Sequence, residues 1–361
     1  MTYKLWKEGR SLSDSWKGKR GALAMKSNYG IKVLYEPKNA TVDLVFVHGI
    51  TGHRDRTWSA DQNSEPWPKL MVPNRIPEAR ILTFGYDASV IGFWRGISGN
   101  AIGDHSNNLL SALSSLRSEA GPRPIVFIAH SLGGLVVKDA LLSSRTSPEA
   151  HLKDCVRALL FLGTPHYGAD LADIGQRLVA LAGGLTRAKT NQKILGVLQK
   201  DSEVLFRIQK GFHELLRSQQ KDGTPPLEIT CCYEELPLTG IGEIVPKESA
   251  ILHGYPAIGI HADHRGIARF ASPDDPGFVS VLGELRRWIG PIANAEDEQN
   301  EQVWDMDRKG SRVASGGWAA GESNGGDSAD TGAITIWGNV TRSVIANGNQ
   351  TIQGNLFFGG S

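Results

Sequence analysis

An apolar run that halts at a serine between small residues constrains this chain more than any other feature. Residues 124–134 read PIVFIAHSLGG, and Leu135–Leu142 continues with helical character. Ile125–Ile128 has the composition of a buried strand. A serine on a tight turn from such a strand into a helix takes a strained backbone conformation, and large side chains two positions away would collide there. Ala129 and Gly133 occupy those two positions. Alanine stands where glycine is usual, but it is still small. A glycine-rich turn with no chemistry has the same local signature, so the rest of the chain must supply the partners.

The surrounding pattern alternates. Ile31–Tyr35, Asp43–Val47, Arg80–Phe84, Pro124–Ala129, Val156–Leu162, Leu227–Tyr233 and Ala257–Ile260 are predicted as short strands. Most are continuously apolar, which suits strands covered on both faces. Between them lie helical stretches such as residues 105–121, where Leu109, Leu110, Leu113 and Leu116 share one face before a terminal glycine. Residues 274–290 have the same kind of stop. The alternation predicts an α/β fold, a mostly parallel sheet flanked by helices. Residues 169–222 carry helical spacing with no strand, which predicts a helical insertion serving either as extra scaffold or as a cap over a pocket.

Four segments follow from composition: a basic N-terminal arm (1–30), the α/β domain (31–290), a linker (291–331) and a β-prone tail (332–361). The linker is rich in Gly, Ser, Asp and Glu, too polar to bury a core. The tail alternates apolar with polar residues and carries a single charge, Arg342. Lys+Arg 39 against Asp+Glu 38 gives a net charge of +1, so no overall field recruits nucleic acid. Three cysteines, two of them adjacent, cannot make a disulfide framework, and a reducing compartment is expected. The first twenty residues lack the apolar core of a signal peptide, and no run approaches the ~18 apolar residues of a membrane span. A cytoplasmic protein is expected. The histidines are scattered without metal-ligand spacing, and GITG (49–52) lacks the Lys-Ser/Thr of a nucleotide loop, so neither metal nor cofactor is expected.

A serine hydroxyl becomes a good nucleophile only when a base takes its proton and a third group orients that base. If Ser131 is that nucleophile, a histidine should follow the last strand and an acid the strand before it. IGIHADHRG (258–266) offers His261 and His264. His264 is favoured because it lies farther past the strand, whereas His261 could still be held within it. Glu234 and Glu235 end the penultimate strand, and adjacent residues of an extended segment point opposite ways. Glu234 is preferred, while Glu235, Glu243, Glu248 and Asp263 stay open. An oxyanion hole needs two backbone N–H groups; Leu132 would give one and Ile50, in VFVHGITG (45–52), the other.

These segments together (VFVHGITGHRDRTW, RILTFGYDA, IVFIAHSLGGLVVKDAL, LLFLGTPHYGAD, CCYEELP, IVPKESAIL and ADHRGIARF) resemble the serine-active-site-containing esterases of the α/β-hydrolase superfamily, including fungal members fused to signalling modules. The resemblance runs from about Val42 to Gly290. It implies a lipase-like or phospholipase-like esterase using Ser131, His264 and the acid after CCY. His166 of GTPHYG recurs in the family pattern; because it precedes the acid in chain order it is read as shaping the pocket mouth rather than as the base, with a structural histidine as the favoured alternative. The tail segment VIANGNQTIQGN resembles the amyloid signalling motifs of fungal HET-s-like and sigma-type proteins. That second resemblance implies a cell-death effector in non-self recognition that self-assembles through residues 332–361. Its partner would be a NACHT-type receptor bearing a matching motif. A membrane surface would then be a source of lipid substrate. A fold retained for signalling without catalysis, or acyl transfer by the same residues, are the competing expectations.

Overall fold

The structure is a computed structural model that describes residues 28–61, 63–88, 101–144, 150–166, 171–181, 191–221 and 226–290. The expected linker and tail, and residues 1–27 of the expected arm, lie outside the described residues.

Among the described residues, seven strands form one sheet: β1 (Gly30–Tyr35), β2 (Val42–Val47), β3 (Ala79–Gly85), β4 (Ile125–His130), β5 (Val156–Leu162), β6 (Glu228–Glu234) and β7 (Ala257–Ile260). Their order is β1-β3-β2-β4-β5-β6-β7. Only β1 runs antiparallel to its neighbour; the other five pairings are parallel. The predicted strands coincide with these to within one residue at each end. The continuous apolar runs have a physical reason. Every residue of β2, β3 and β4 is buried, because side chains on alternate positions enter two separate cores. Val45, Val47, Phe127, Ala129, Leu159 and Phe161 belong to one core. Leu44, Phe46, Val126, Ile128, Leu160 and Leu162 belong to the other. This is the sheet of an α/β-hydrolase fold.

The helices are α1 (Trp67–Met71), α2 (Ala101–Leu116), α3 (Gly133–Ser143), α4 (Ala150–Cys155), α5 (Leu171–Leu181), α6 (Asn191–Lys221), α7 (Lys247–Ala250) and α8 (276–290). On α2, Leu109, Leu110 and Leu113 are buried in the first core as their spacing predicts. The second core holds an aromatic group in which Trp67 meets Phe46, Phe270 and Phe278 at centroid distances of 5.4, 5.0 and 5.6 Å. Trp67 Nε1 also donates to the Ala268 carbonyl at 3.0 Å, tying this core to the loop after β7.

The predicted helical insertion resolves into α5 and α6, which have different tasks. Leu205, Ile208, Phe212, Leu215 and Leu216 of α6 are buried in the first core. Its second half is therefore the crossover that any β5-to-parallel-β6 connection needs. It is scaffold. Helix α5 packs into the same core through Ile174, Leu178 and Leu181, and its end also reaches the candidate site, where the Leu181 carbonyl accepts a bond from Arg265.

Parallel pairing places the carboxyl ends of β2, β4, β5, β6 and β7 on one edge of the sheet. The opposite edge holds a buried ionic knot. Asp43, fully buried at the start of β2, accepts from Arg80 (2.7 and 2.9 Å), Arg123 (3.2 Å) and Arg117.

Candidate active site

The turn from β4 into α3 places Ser131 at φ 53°, a left-handed conformation that L-residues other than Gly, Asn and Asp seldom adopt. Its N–H donates to the Leu162 carbonyl at 2.8 Å, and its own carbonyl accepts from Gly134 N (3.1 Å) and Thr164 Oγ1 (2.9 Å). The need for small neighbours is steric. A Cβ on Gly133 would lie 2.4 Å from the His48 carbonyl oxygen, and one on Gly49 would lie 2.5 Å from Ser131 Cβ. The loop after β2 is thus pressed directly against the serine turn.

His264 lies on the loop after β7. Its Nε2 is 3.0 Å from Ser131 Oγ and its Nδ1 is 2.9 Å from Glu234 Oε2. Glu234 is the last residue of β6, and its Oε1 accepts the Ile244 and Val245 amides at 2.6 and 2.8 Å. With Oε1 so occupied, Oε2 faces the imidazole. A carboxylate can only accept, so Nδ1–H donates to it and the Nε2 lone pair is left to receive the serine proton. All three side chains are buried. Backbone amides thus orient the acid, the acid fixes the tautomer, and the tautomer presents a base to the hydroxyl.

The other candidates lie elsewhere. Glu235 points the opposite way, to His261 at 3.3 Å. His261 is not held within the strand as its alternative role supposed; its side chain is 78% exposed. Glu243 and Glu248 are exposed. Asp263 accepts the Arg265 and Gly266 amides at 3.0 and 2.8 Å, which starts the 3-10 turn Gly266–Ala268. His166 is not at the pocket mouth but fully buried, with Nδ1 2.7 Å from Lys138 Nζ.

The Ile50 and Leu132 amides have no acceptor among the described residues, whereas Thr51 N–H donates to Ala88 O (2.7 Å) and Gly134 N–H to Ser131 O (3.1 Å). Thr51 has φ 56° and is, with Ser131, one of the two non-glycine residues with positive φ among the described residues. His48 shapes this loop. Its ring stacks on Tyr86 at 4.5 Å, its Nδ1–H donates to the Gly49 carbonyl (2.9 Å), and its carbonyl accepts from Tyr86 Oη (2.7 Å). Burial pulls the His48 pKa down to about 4, so it stays neutral.

Sequence reasoning missed His130 and Lys138. His130 Nε2–H donates to the His264 carbonyl at 2.8 Å, and burial pulls its pKa down to about 3. It therefore braces the His264 loop as a neutral ring. The available signal for Lys138 was the charged pair Lys138-Asp139 within GGLVVKDALL, an otherwise apolar helix start.

A cavity of about 420 Å³ opens beside His264, lined by Ile50, His130, Arg56, Arg265 and Arg269 among others. None of these three arginines pairs with a carboxylate among the described residues. Also among the described residues, no group of three or more His, Cys, Asp or Glu could hold a metal ion. No described helix is long and apolar enough to cross a membrane.

Residues 38–208 match the family model described as "Putative serine esterase (DUF676)". The chain is 30% identical over 282 residues to Protein SERAC1 of Homo sapiens, covering 72% of this chain and 40% of that protein. It is 26% identical over 302 residues to Protein SERAC1 of Danio rerio, covering 75% and 43%. The chain thus spans well under half the length of these curated relatives. Among solved structures, the lipase BlEst2 of Bacillus licheniformis is similar at 18% identity and TM-score 0.43, covering 70% of this chain and 97% of that one. The carboxylesterase CesB of Bacillus subtilis is similar at 12% identity and TM-score 0.38, covering 72% and 88%. The chain carries a mostly parallel seven-stranded sheet flanked by helices, and its sequence is similar, over residues 38–208, to the family described as "Putative serine esterase (DUF676)".

Proposed function

We propose that the protein is a serine ester hydrolase. The hydrogen-bonded series Ser131–His264–Glu234, at 3.0 and 2.9 Å, carries this reading. Ser131 Oγ attacks the ester carbonyl while its proton passes to His264 Nε2. The amides of Ile50 and Leu132 hold the oxyanion. Collapse breaks the carbonyl–alkoxy bond, and the departing alcohol takes the proton from His264. Water then gives a proton to His264 and attacks the acyl-enzyme. Collapse of the second intermediate returns the proton to Ser131 Oγ and frees the acid. Glu234 stabilises the imidazolium throughout without being protonated.

The pocket bears on substrate class. A long neutral acyl chain is best served by an apolar channel, whereas Arg56, Arg265 and Arg269 against the single carboxylate Asp61 give this lining a net positive charge. Esters carrying a phosphate or carboxylate, phospholipids included, suit this lining better than triglycerides. A fluorophosphonate probe is expected to label the wild type and not Ser131→Ala. Labelling that persisted in the variant would overturn the assignment. A panel of anionic and neutral esters of matched length should favour the anionic members.

The signalling reading rests on the tail's sequence. In it the hydrolase is a cytoplasmic effector of fungal non-self recognition, assembled through residues 332–361 on a NACHT-type receptor with a matching motif. The alternating pattern, with Arg342 its single charge, can stack as cross-β ladders. A peptide of residues 332–361 should form fibres with a repeat of about 4.7 Å; a peptide that stayed soluble and monomeric would defeat this reading. If full-length Ser131→Ala still triggered the cellular response, catalysis would be dispensable for signalling.

A further inference from the structure

Beneath the serine turn lies a buried polar cluster that the proposed reaction does not use. Lys138 on α3 is fully buried. Its Nζ donates to His166 Nδ1 (2.7 Å) and to Gln209 Oε1 of α6 (3.0 Å), and it lies over the rings of Phe161 (5.4 Å) and Phe212 (5.0 Å). Asp139, the adjacent carboxylate on α3, is bonded to Arg207 at 2.8 Å. Burial pulls the Lys138 pKa down to about 7. An ammonium without a carboxylate partner is costly to bury, so its presence calls for a reason beyond packing.

The connections of His166 supply one. Its Nε2 faces Cys231 Sγ at 3.6 Å, on the strand that ends in Glu234. Its N–H donates to the Ser249 carbonyl at 2.6 Å, just past the Ile244–Val245 amides that hold Glu234. It closes the short loop 163–166, in which Thr164 Oγ1 bonds the Ser131 carbonyl. In the same loop a Cβ on Gly163 would lie 3.2 Å from the His264 ring. Gln209 Nε2 donates to Pro165 O at 3.0 Å, which fixes the loop from the other side.

We propose that Lys138 and His166 are positioning residues: together they pin loop 163–166 to α3 and hold the supports of Ser131, His264 and Glu234 in mutual register. The inference rests on the esterase reading of Ser131. Neither residue touches substrate; both act through the loop.

The test uses the full-length protein, with a p-nitrophenyl ester for kinetics, fluorophosphonate labelling and thermal unfolding. Lys138→Met and His166→Phe should each lower kcat by about tenfold or more, since small misplacements of reacting groups are expensive, with KM within about threefold of wild type. His166→Asn keeps an acceptor near the Nδ1 position and should hold kcat within about threefold of wild type. The double variant Lys138→Met/His166→Phe replaces both polar partners by apolar ones, which can be nearly neutral for folding. Its Tm should return toward that of wild type while kcat stays depressed. Recovery of kcat along with Tm would show that the cluster only packs the fold, and would overturn the proposal. Full kcat in either apolar single variant would do the same, as would a double variant that cannot fold. An inactive, unlabelled wild type, or a labelled Ser131→Ala, would instead defeat the esterase reading.

Discussion

The two ends of the central strands handle a buried carboxylate in opposite ways. At the amino end, Asp43 is surrounded by Arg80, Arg117 and Arg123. At the carboxyl end, Glu234 is equally buried but meets two backbone amides and one imidazole. A carboxylate already neutralised by guanidinium groups stabilises a new positive charge poorly. One held only by neutral donors keeps its negative potential for the imidazolium that forms during reaction. The same residue chemistry serves structure at one edge and, on the esterase reading, catalysis at the other.

That contrast can be broken by substitution. Glu234→Gln should lower kcat by about 10³–10⁴-fold, because an amide cannot favour the reactive tautomer and the imidazolium, while thermal unfolding changes little. Asp43→Asn should do the reverse. Removing one partner of a buried ionic knot costs about 3–5 kcal/mol, measurable by urea denaturation, with kcat per folded molecule unchanged. If Asp43→Asn lost activity without losing stability, the two ends would not be functionally distinct. Gly133→Ala would press a methyl group onto the His48 and Val47 carbonyl oxygens, costing about 1–3 kcal/mol and slowing fluorophosphonate labelling as the loop after β2 shifts.

Acid should expose a further difference. His48 and His130 have folded pKa values lowered from 6.5 to about 4 and about 3 by burial. Below pH 6.5 the unfolded chain binds more protons than the folded one. Stability should therefore fall as pH drops through the window from about 6.5 to 3, by at most about 1.4 kcal/mol per pH unit for each group. Urea midpoints at pH 7, 5.5 and 4.5 measure this, and His130→Gln should flatten the dependence. The smallest effect expected is at Thr51, whose φ of 56° strains a β-branched residue. Thr51→Gly should stabilise by under about 1 kcal/mol, and a clear destabilisation would mean that the side chain contributes contacts that outweigh its strain.

Much of this was legible in the chain. Strands β2, β3 and β4 were readable because burial on both faces makes each one a continuous apolar run, whereas β1 and β7 at the sheet's two edges are mostly half-buried and were read from their short β-branched or apolar stretches. Ser131 and His264 were readable because, on a sheet of this kind, the position of a residue just past a parallel strand fixes which edge it occupies. The acid was harder. Glu234 and Glu235 are chemically identical neighbours, and strand alternation says only that they diverge. What distinguishes them is the pair of amides at Ile244 and Val245, supplied by a loop whose path no local pattern encodes. For His166, chain order spoke against a base and left a pocket-mouth or a structural role; the fold gives the structural one, turned inward to Lys138.

The sequence by itself determined the order of strands and helices, the serine turn and the histidine beyond the last strand, since these depend on periodicity, residue size and chain order. Only the tertiary structure decided which carboxylate faces the imidazole and why Lys138 can be buried. Those outcomes depend on contacts between residues far apart in the chain: Ser131 and His264 are separated by 133 positions and Lys138 and Gln209 by 71. Local propensity carries no information about which polar groups meet at such separations; the packed sheet and its crossover helix α6 bring them together.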